Sequence, residues 1–549
     1  MDAMNRLLEA NAIKRLADRD ASLYTDNIDE RIPIIQRMGW NDLAQKAPGR
    51  FILLRNLANA IVDEGGTDIV LLGMGGSSLA PLVLSRALDG AEGMPRLHVL
   101  DTTSPIVIAD LLETLDPAGT FVLVSSKSGS TIEPLSLYAI FRTWLEETLP
   151  RPTAGRHCFV ITDPGTPLEK LRQRDLMRLA LSAPPTVGGR FSALSMFGLA
   201  PAALIGIDLE TLIARAAAME DACRIPTAEN PAALLAAWLT DAYEGGHDKL
   251  TIVTSQPLES FGLWAEQLVA ESLGKNGQGI VPVIEHEPTM PTGYSDDRAV
   301  VVLRLESDDA LANWSREAAA AHPVFELTAR DAYDLGAEFV RWEHAIALVG
   351  FLLGVNPFDQ PNVAEAKAAT DAILSGTTKV PPATADFDGT WVTFAGALEA
   401  PASRPQTRSE ALQMLVDSAG PGDYVTILAY LPDRESLFGP LYRAAKEVAD
   451  STGRAVCVEA GPRYLHSTGQ LHKGGPNTGV FLLVTARDRA DIEIPGERFS
   501  LAALHRAQAE GDLVALAEHG RRVLRIDLPS SEHSVVAALA GELTHAAAQ

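Results

Sequence analysis

Short apolar runs recur along the chain, each closed by glycine or hydroxyl residues and each followed by a helical repeat of apolar positions. The first runs are 67–72, 96–100, 121–124 and 158–161, and the repeats between them cover 79–88, 106–115 and 134–149. Runs that are apolar throughout suit strands buried on both faces, and a helix between successive strands makes their pairing parallel. The pattern restarts with expected strands at 249–254, 279–283 and 299–303 and helices at 263–273 and 339–354. A third set follows at 424–430, 455–459 and 480–485, with a helix at 437–451. Leu7, Leu8, Ile13 and Leu16 mark a helical opening segment. The fold class expected is α/β: two doubly wound parallel-sheet domains, a helical N-terminus and a third C-terminal α/β unit. The expected divisions are 1–44, 45–225, 226–372, a linker at 373–410 rich in Pro, Thr, Ala and Gly, and 411–549.

Composition narrows the partners. The chain of 549 residues carries 46 Lys and Arg against 71 Asp and Glu, a formal charge of −25. That balance argues against nucleic acid or an anionic membrane as main partner, while leaving room for a local pocket that takes a small anion. Cys158, Cys223 and Cys457 are scattered, with no zinc spacing, and suit a reducing compartment. The longest uncharged stretch, 191–207, is short for a membrane span and contains Pro201. No signal peptide is visible after Met1, so a cytoplasmic protein is expected.

Several loops carry candidate chemistry. Gly73-Met74-Gly75-Gly76-Ser77-Ser78 joins a strand to a helix, where inward-turned N–H groups and the helix terminus make an anion site. It fails as a dinucleotide fingerprint because Ser78 stands at the third glycine position, and a tight turn is an equally good reading. Ser125-Ser126-Lys127-Ser128-Gly129-Ser130-Thr131 also follows an apolar strand and offers five hydroxyls and one ammonium to a phosphate. Open α/β sheets bind ligands at this end of their strands. In Val187-Gly188-Gly189-Arg190-Phe191-Ser192, an arginine after paired glycines suits close approach to a developing negative charge, or a surface turn. Glu271 ends an amphipathic helix before Gly274 and is a general base if partly buried, a solvated helix end if not. Gln360 and Lys367 are seven residues apart, about two helical turns, and so are expected on one side. His466 and His472 lie in a polar, Gly-rich segment and make a poor metal site by spacing.

Taken together these segments resemble phosphoglucose isomerase, a family built from two sugar-isomerase (SIS) domains. The likeness covers roughly 45–370 and rests on five segments in that family's order: Gly73–Ser77, Ser126–Thr131 with Glu133, Gly188–Ser192, Glu271–Lys275 and Asn356–Lys367. The opening helices and the 466–479 segment further resemble the isomerase half of bacterial transaldolase–phosphoglucose isomerase fusions. The resemblance implies an aldose–ketose isomerase acting on glucose 6-phosphate and fructose 6-phosphate through an enediolate, without metal or other cofactor. It implies Glu271 as base, Arg190 and Lys367 as cations at the reacting oxygens, and Gly75, Gly76, Ser77, Ser126, Lys127, Ser128, Thr131, Glu133 and Gln360 as the sugar-phosphate anchor. It also implies a homodimer.

That family opens the sugar ring with a histidine, and the loop that corresponds here carries Tyr294 before the strand at 299–303. A phenol is a poor proton shuttle at neutral pH, so His466 or His472 is the candidate substitute, reaching a site in its own subunit or a neighbour's; a Gly-rich structural turn with surface histidines is an equally good reading of that segment. Competing readings are an isomerase of another phosphorylated or sulfonated hexose, a non-catalytic SIS sugar-phosphate sensor, and, more distantly, a nicotinamide-dependent dehydrogenase.

Overall fold

A computed structural model describes all residues except 1, 286, 287, 289, 400–403 and 549. The first sheet comprises β1 (Asp68–Leu72), β2 (Arg96–Leu100), β3 (Thr120–Ser125), β4 (Cys158–Thr162) and β5 (Ala180–Ser182), all parallel, in the order β2-β1-β3-β4-β5. Every residue of β1, β3 and β4 is buried, as uniformly apolar strands between two helix layers require. The second sheet holds β6 (Lys249–Thr254), β7 (Val281–Glu285), β8 (Arg298–Leu305) and β9 (Val324–Ala329), also parallel, in the order β7-β6-β8-β9.

The third sheet differs from expectation in extent. It comprises β10 (Ala385–Phe387), β11 (Thr390–Gly396), β12 (Tyr424–Tyr430), β13 (Ala455–Ala460), β14 (Gly479–Ala486) and β15 (Arg522–Leu528), in the order β10-β11-β15-β14-β12-β13. The segment expected as a linker at 373–410 therefore contains a hairpin, and β11 runs antiparallel to β15. The hairpin turns at Asp388 and Gly389, both at positive φ, and Gly389 N–H donates to Asp386 Oδ1 at 2.9 Å. Positive φ at both central residues matches the twist of the paired strands. Residues 400–403 of the expected linker lie outside the described residues.

The third unit is packed into the rest of the chain. One apolar cluster joins Ala270, Val281 and Val283 to Tyr424, Leu428, Cys457 and Phe481. Another places Ile494, Leu501 and Leu504 among the first sheet's Val70, Leu72, Val122 and Val124. Leu501 and Leu504 are fully buried there, each worth roughly 1.5–3 kcal/mol of transfer free energy. Both begin the helix Leu501–Glu518, whose N-cap Ser500 accepts from Ala503 N–H at 3.3 Å. That helix also lies against the helix Val363–Leu374.

Candidate active site

The first sheet changes direction of connection between β1 and β3, because β2 lies on one side of β1 and β3 on the other. At such a point two strand ends diverge and leave a crevice for a ligand. The loops 73–78 and 126–131 leave β1 and β3 at this point. They are tied together by Ser125 Oγ donating to Ser77 O at 2.9 Å. Gly75 has φ +52°, and a Cβ there would stand 2.7 Å from His466 O. A Cβ on Gly76 would stand 2.1 Å from Gly189 O, so only glycines admit the Arg190 and His466 segments this close to β1. Ser192 Oγ donates to Gly76 O at 3.1 Å and closes the contact.

In the second loop the hydroxyls face one another. Ser126 Oγ and Thr131 Oγ1 are 3.1 Å apart, Ser128 Oγ and Thr131 Oγ1 3.5 Å, and Gly129 N–H donates to Ser126 Oγ at 3.1 Å. Lys127 is turned aside: its ammonium donates to Asp163 Oδ2 at 2.5 Å and to Pro185 O at 3.2 Å. The loop thus presents neutral donors, with its one cation already paired.

Arg190 is 2% exposed, and all three of its guanidinium nitrogens are hydrogen-bonded. Nε donates to Ser272 Oγ at 2.8 Å, Nη1 to Gln360 Oε1 at 2.7 Å, and Nη2 to Pro357 O at 2.6 Å and Asp359 O at 2.8 Å. Nη1 also stands 3.4 Å from Glu271 Oε1. The helix Phe261–Leu273 puts Glu271 on its last turn, buried, and the other carboxylate oxygen, Oε2, has no hydrogen-bond partner. Burial pushes the Glu271 carboxyl above its usual value, against the opposing pull of Arg190, Lys275 and His466. Lys275 donates from Nζ to Asn356 O, Asp359 O and Asp359 Oδ1, each at 2.7 Å, and burial brings its ammonium down to about 8.

Glu133 sits in the first turn of the helix Ile132–Thr148, 3% exposed. His466 Nε2 is 2.9 Å from its Oε1. Burial pushes the Glu133 carboxyl up, but the charge and hydrogen bond of His466 outweigh it and the net direction is down. For His466 burial pulls down, yet Glu133 and Glu271 prevail and the imidazole is raised. Lys367 acts electrostatically on both Glu133 and His466 from an exposed position on the helix Val363–Leu374.

The structure thus gathers the segments of Gly75, Gly76, Ser77, Ser126, Ser128, Thr131, Glu133, Arg190, Glu271, Gln360, Lys367 and His466. Three expectations need correction. His472 is not brought to this cluster. It is 2% exposed, packs against Phe481 with ring centroids 4.9 Å apart, and its Nε2 lies 3.4 Å from Glu459 Oε1. Tyr294 makes its contacts away from these residues as well. It precedes the amino end of β8, its hydroxyl donates to Glu285 Oε2 at 2.6 Å, and the Arg298 guanidinium lies 4.9 Å from its ring centroid. Gln360 and Lys367 do not share a helix face, because the helix begins only at Val363 and Gln360 stays in the preceding loop.

Four contributors escaped sequence reasoning as site residues. Ser272 fixes Arg190, and Gln267 donates to His466 O at 2.7 Å. Gln470 donates to Gly274 O at 3.0 Å and Asn362 Oδ1 at 2.7 Å, which joins the end of the Glu271 helix to the start of the Lys367 helix. Gln508 Nε2 donates to Glu133 Oε1 at 2.7 Å. Helical spacing marks Gln267 and Glu271, four apart, as neighbours; nothing in the sequence flags the long-range pair of Gln508 and Glu133.

Comparison with known proteins places the chain in a family. The description of the family "Phosphoglucose isomerase" matches residues 61–289. Glucose-6-phosphate isomerase of Thermus thermophilus is 32% identical over 386 residues, 62% of this chain and 90% of that protein. The crystal structure of a hypothetical protein from the same organism superposes with a TM-score of 0.59 at 29% identity, covering 68% of this chain and 97% of its own. A glucose-6-phosphate isomerase structure from Chlamydia trachomatis shares the fold, with a TM-score of 0.52 at 22% identity over 67% of this chain and 79% of that one. Glucose-6-phosphate isomerase of Rubrobacter xylanophilus is 34% identical over 365 residues, 58% of this chain and 84% of that protein. Since so much of that relative's length is matched at this identity, the chain belongs to the phosphoglucose isomerase family.

Proposed function

We propose that the chain interconverts glucose 6-phosphate and fructose 6-phosphate through an enediolate, with Glu271 as the base. The observation that carries this is a buried carboxylate with one unpartnered oxygen, set against a fixed guanidinium and acting on His466, which reaches Glu133 directly after the hydroxyl-lined loop 126–131. The loop 126–131 and Gly75–Ser77 hold the phosphate through hydroxyl and N–H donors. His466 opens the ring: its imidazolium gives a proton to the ring oxygen, the C1 hydroxyl releases its proton to solvent water, and the imidazole regains one from solvent, with Glu133 favouring its charged form. Glu271 Oε2 takes the C2 proton of the open aldose and returns it to C1, while the proton of the O2 hydroxyl passes to the neighbouring O1, so that the C1 carbonyl becomes a hydroxyl and the C2 hydroxyl a carbonyl. The charge that develops on the oxygens between these steps faces Arg190, already locked by Ser272, Gln360 and two carbonyls, so no reorganisation is needed when it appears. Lys367 adds a cation near the His466 side.

Exchange between C2 and C1 needs only a base and a fixed counter-charge, so the reading includes no metal or other cofactor. By resemblance the protein acts as a homodimer in the cytoplasm, which sedimentation and fractionation read. Among the described residues no helix is long and apolar enough to cross a membrane. The test of function is a coupled assay of fructose 6-phosphate turnover with purified protein, run beside other hexose phosphates and sulfonated hexoses. Turnover of fructose 6-phosphate at least as fast as the others supports the reading. Preference for another hexose by an order of magnitude would replace the substrate while keeping the chemistry.

A further inference from the structure

One face of the helix Leu501–Glu518 carries His505, Gln508 and Asp512, spaced three and four apart so that they point the same way. All three reach out of the third unit toward the residues around Glu133 and His466. Gln508 Nε2 donates to Glu133 Oε1 at 2.7 Å, the same oxygen that His466 Nε2 approaches at 2.9 Å. Thr103, in the loop after β2, donates from Oγ1 to Gln508 Oε1 at 2.7 Å, and His505 Nδ1 lies 2.9 Å from the same Oγ1. A hydroxyl has one proton. Since Gln508 Oε1 takes it, His505 Nδ1 is the donor in its own contact.

The polarity of this chain follows. It runs from His505 to Thr103 to Gln508 to Glu133, every donor aimed at the carboxylate. The reverse amide orientation would set Gln508 Oε1 against Glu133 Oε1, acceptor against acceptor. Thr103, Gln508 and Glu133 are each no more than 3% exposed, so bulk solvent does not compete for these groups. Asp512 works on the other half of the pair. Its Oδ2 accepts from Tyr464 Oη at 2.7 Å and its Oδ1 from Lys473 Nζ at 2.6 Å, which fixes the chain on both sides of His466.

We propose that Gln508, aimed by Thr103 and His505, is a positioning residue that holds the Glu133 carboxylate on His466, so that the third unit sets the geometry of ring opening. The kinetic side of this rests on the ring-opening role given to His466 above; the structural side does not. Gln508 touches neither substrate nor reacting atoms. Without its donor, one side of the Glu133 oxygen is left unpaired in a dry site, and the carboxylate is free to turn from the imidazole toward Lys367. The titratable groups facing His466 are Glu133, Glu271 and Lys367, so a change at residue 508 reaches the imidazole through Glu133.

The experiment uses the full chain with selectively labelled histidine and follows the His466 imidazole by NMR, assigned with His466→Gln. Gln508→Met keeps length and flexibility and removes both donors; Thr103→Val removes only the hydroxyl. Gln508→Met is expected to lower the His466 titration midpoint by about half a unit or more and to lower the ratio of cyclic to open-chain turnover about tenfold with KM little changed. Thr103→Val should move both readouts in the same direction by less, and should add nothing in the Gln508→Met background. A His466 midpoint unmoved in either folded variant overturns the proposal. If His466→Ala leaves the cyclic to open-chain ratio intact, the ring-opening role falls, while the midpoint still decides whether Gln508 positions the pair. Should Gln508→Met fail to fold, Thr103→Val alone decides by the same midpoint.

Discussion

Replacing Glu271 by glutamine separates chemistry from structure at this site. The side chains have the same shape, and Arg190 does not depend on Glu271 for its place: Ser272 Oγ, Gln360 Oε1, Pro357 O and Asp359 O hold it at 2.6–2.8 Å, against 3.4 Å for the carboxylate. A glutamine Oε1 keeps a neutral acceptor near Nη1, so binding should change little. What is lost is the proton acceptor at Oε2. A positioned general base is worth roughly 10²–10⁴ in rate, or about 2.7–5.5 kcal/mol at 1.36 kcal/mol per decade. The assay is kcat for fructose 6-phosphate at saturation, with solvent deuterium incorporation at C2 as a direct count of proton transfer. Stability gives an independent sign. Burial raises the Glu271 carboxyl above its usual 4.5, so the folded chain holds this proton more tightly than the unfolded one. The stability it contributes is present below 4.5 and is lost as pH rises through the raised folded value. Glutamine does not titrate, so at pH 8 the variant should melt no lower than the parent. A kcat within tenfold of the parent, or a variant that is inactive because it melts well below it, would refute the reasoning.

Ser126→Ala and Thr131→Ala should each weaken a competitive sugar-phosphate analogue by about 1–3 kcal/mol, the cost of a lost hydrogen bond to a charged group, read by calorimetry. Lys127→Ala should cost less affinity, since that ammonium is already paired with Asp163; an effect larger than that of Thr131→Ala would show that Lys127 swings to the phosphate. Turnover should be unaffected by EDTA, and activity that vanishes and returns with a divalent ion would require a different chemistry. His466→Ala should lose turnover on cyclic substrate far more than on the open-chain fraction, compared by rapid mixing. Mixed with Glu271→Gln protein, it should regain nothing, because Glu133, Glu271 and His466 meet within one chain; recovery on mixing would place the histidine in a partner's site.

The central strands were legible because their physics is simple: β1, β3 and β4 are buried on both faces and so are apolar without interruption. Edges were not. β9 alternates between buried and exposed positions toward its end, and β5 is three residues long. The hairpin β10–β11 was hidden by its proline-rich flanks, although Asp388-Gly389 between short apolar segments is a hairpin signal. The site's local segments were readable because each is a strand end or a helix end with unusual residues. The choice between His466 and His472 was not, since both sit in the same polar stretch. Burial separates them: His472 faces the third unit's core beside Phe481, whereas His466 faces Glu133. Tyr294 was not placed by the sequence because position before a strand does not say which end of the sheet a residue reaches, and it precedes the amino end of β8, whereas the loops gathered around Glu271 and Glu133 follow the carboxyl ends of β1 and β3.

The two SIS sheets by themselves leave an electrostatic problem. They supply the anchor loops, Arg190 and Glu271, but they bury Glu133 facing the third unit, where an ionised carboxylate without donors costs several kcal/mol. The third unit answers it with two partners on the same oxygen, the His466 imidazole and the Gln508 amide. Under the proposed mechanism, the group that partners the buried carboxylate is also the one that donates the proton in ring opening. Its placement cannot drift independently of the fold. Arg463, three residues before His466, is held by Asp101 at 2.8 and 2.9 Å, and Tyr464 and Lys473 are held by Asp512. Asp101 directly follows β2, beside the crevice that β1 and β3 open. The residue that holds the histidine segment and the loops proposed to hold the phosphate thus belong to one sheet, and a shift of the third unit large enough to misplace His466 would have to break the bidentate Arg463–Asp101 ion pair.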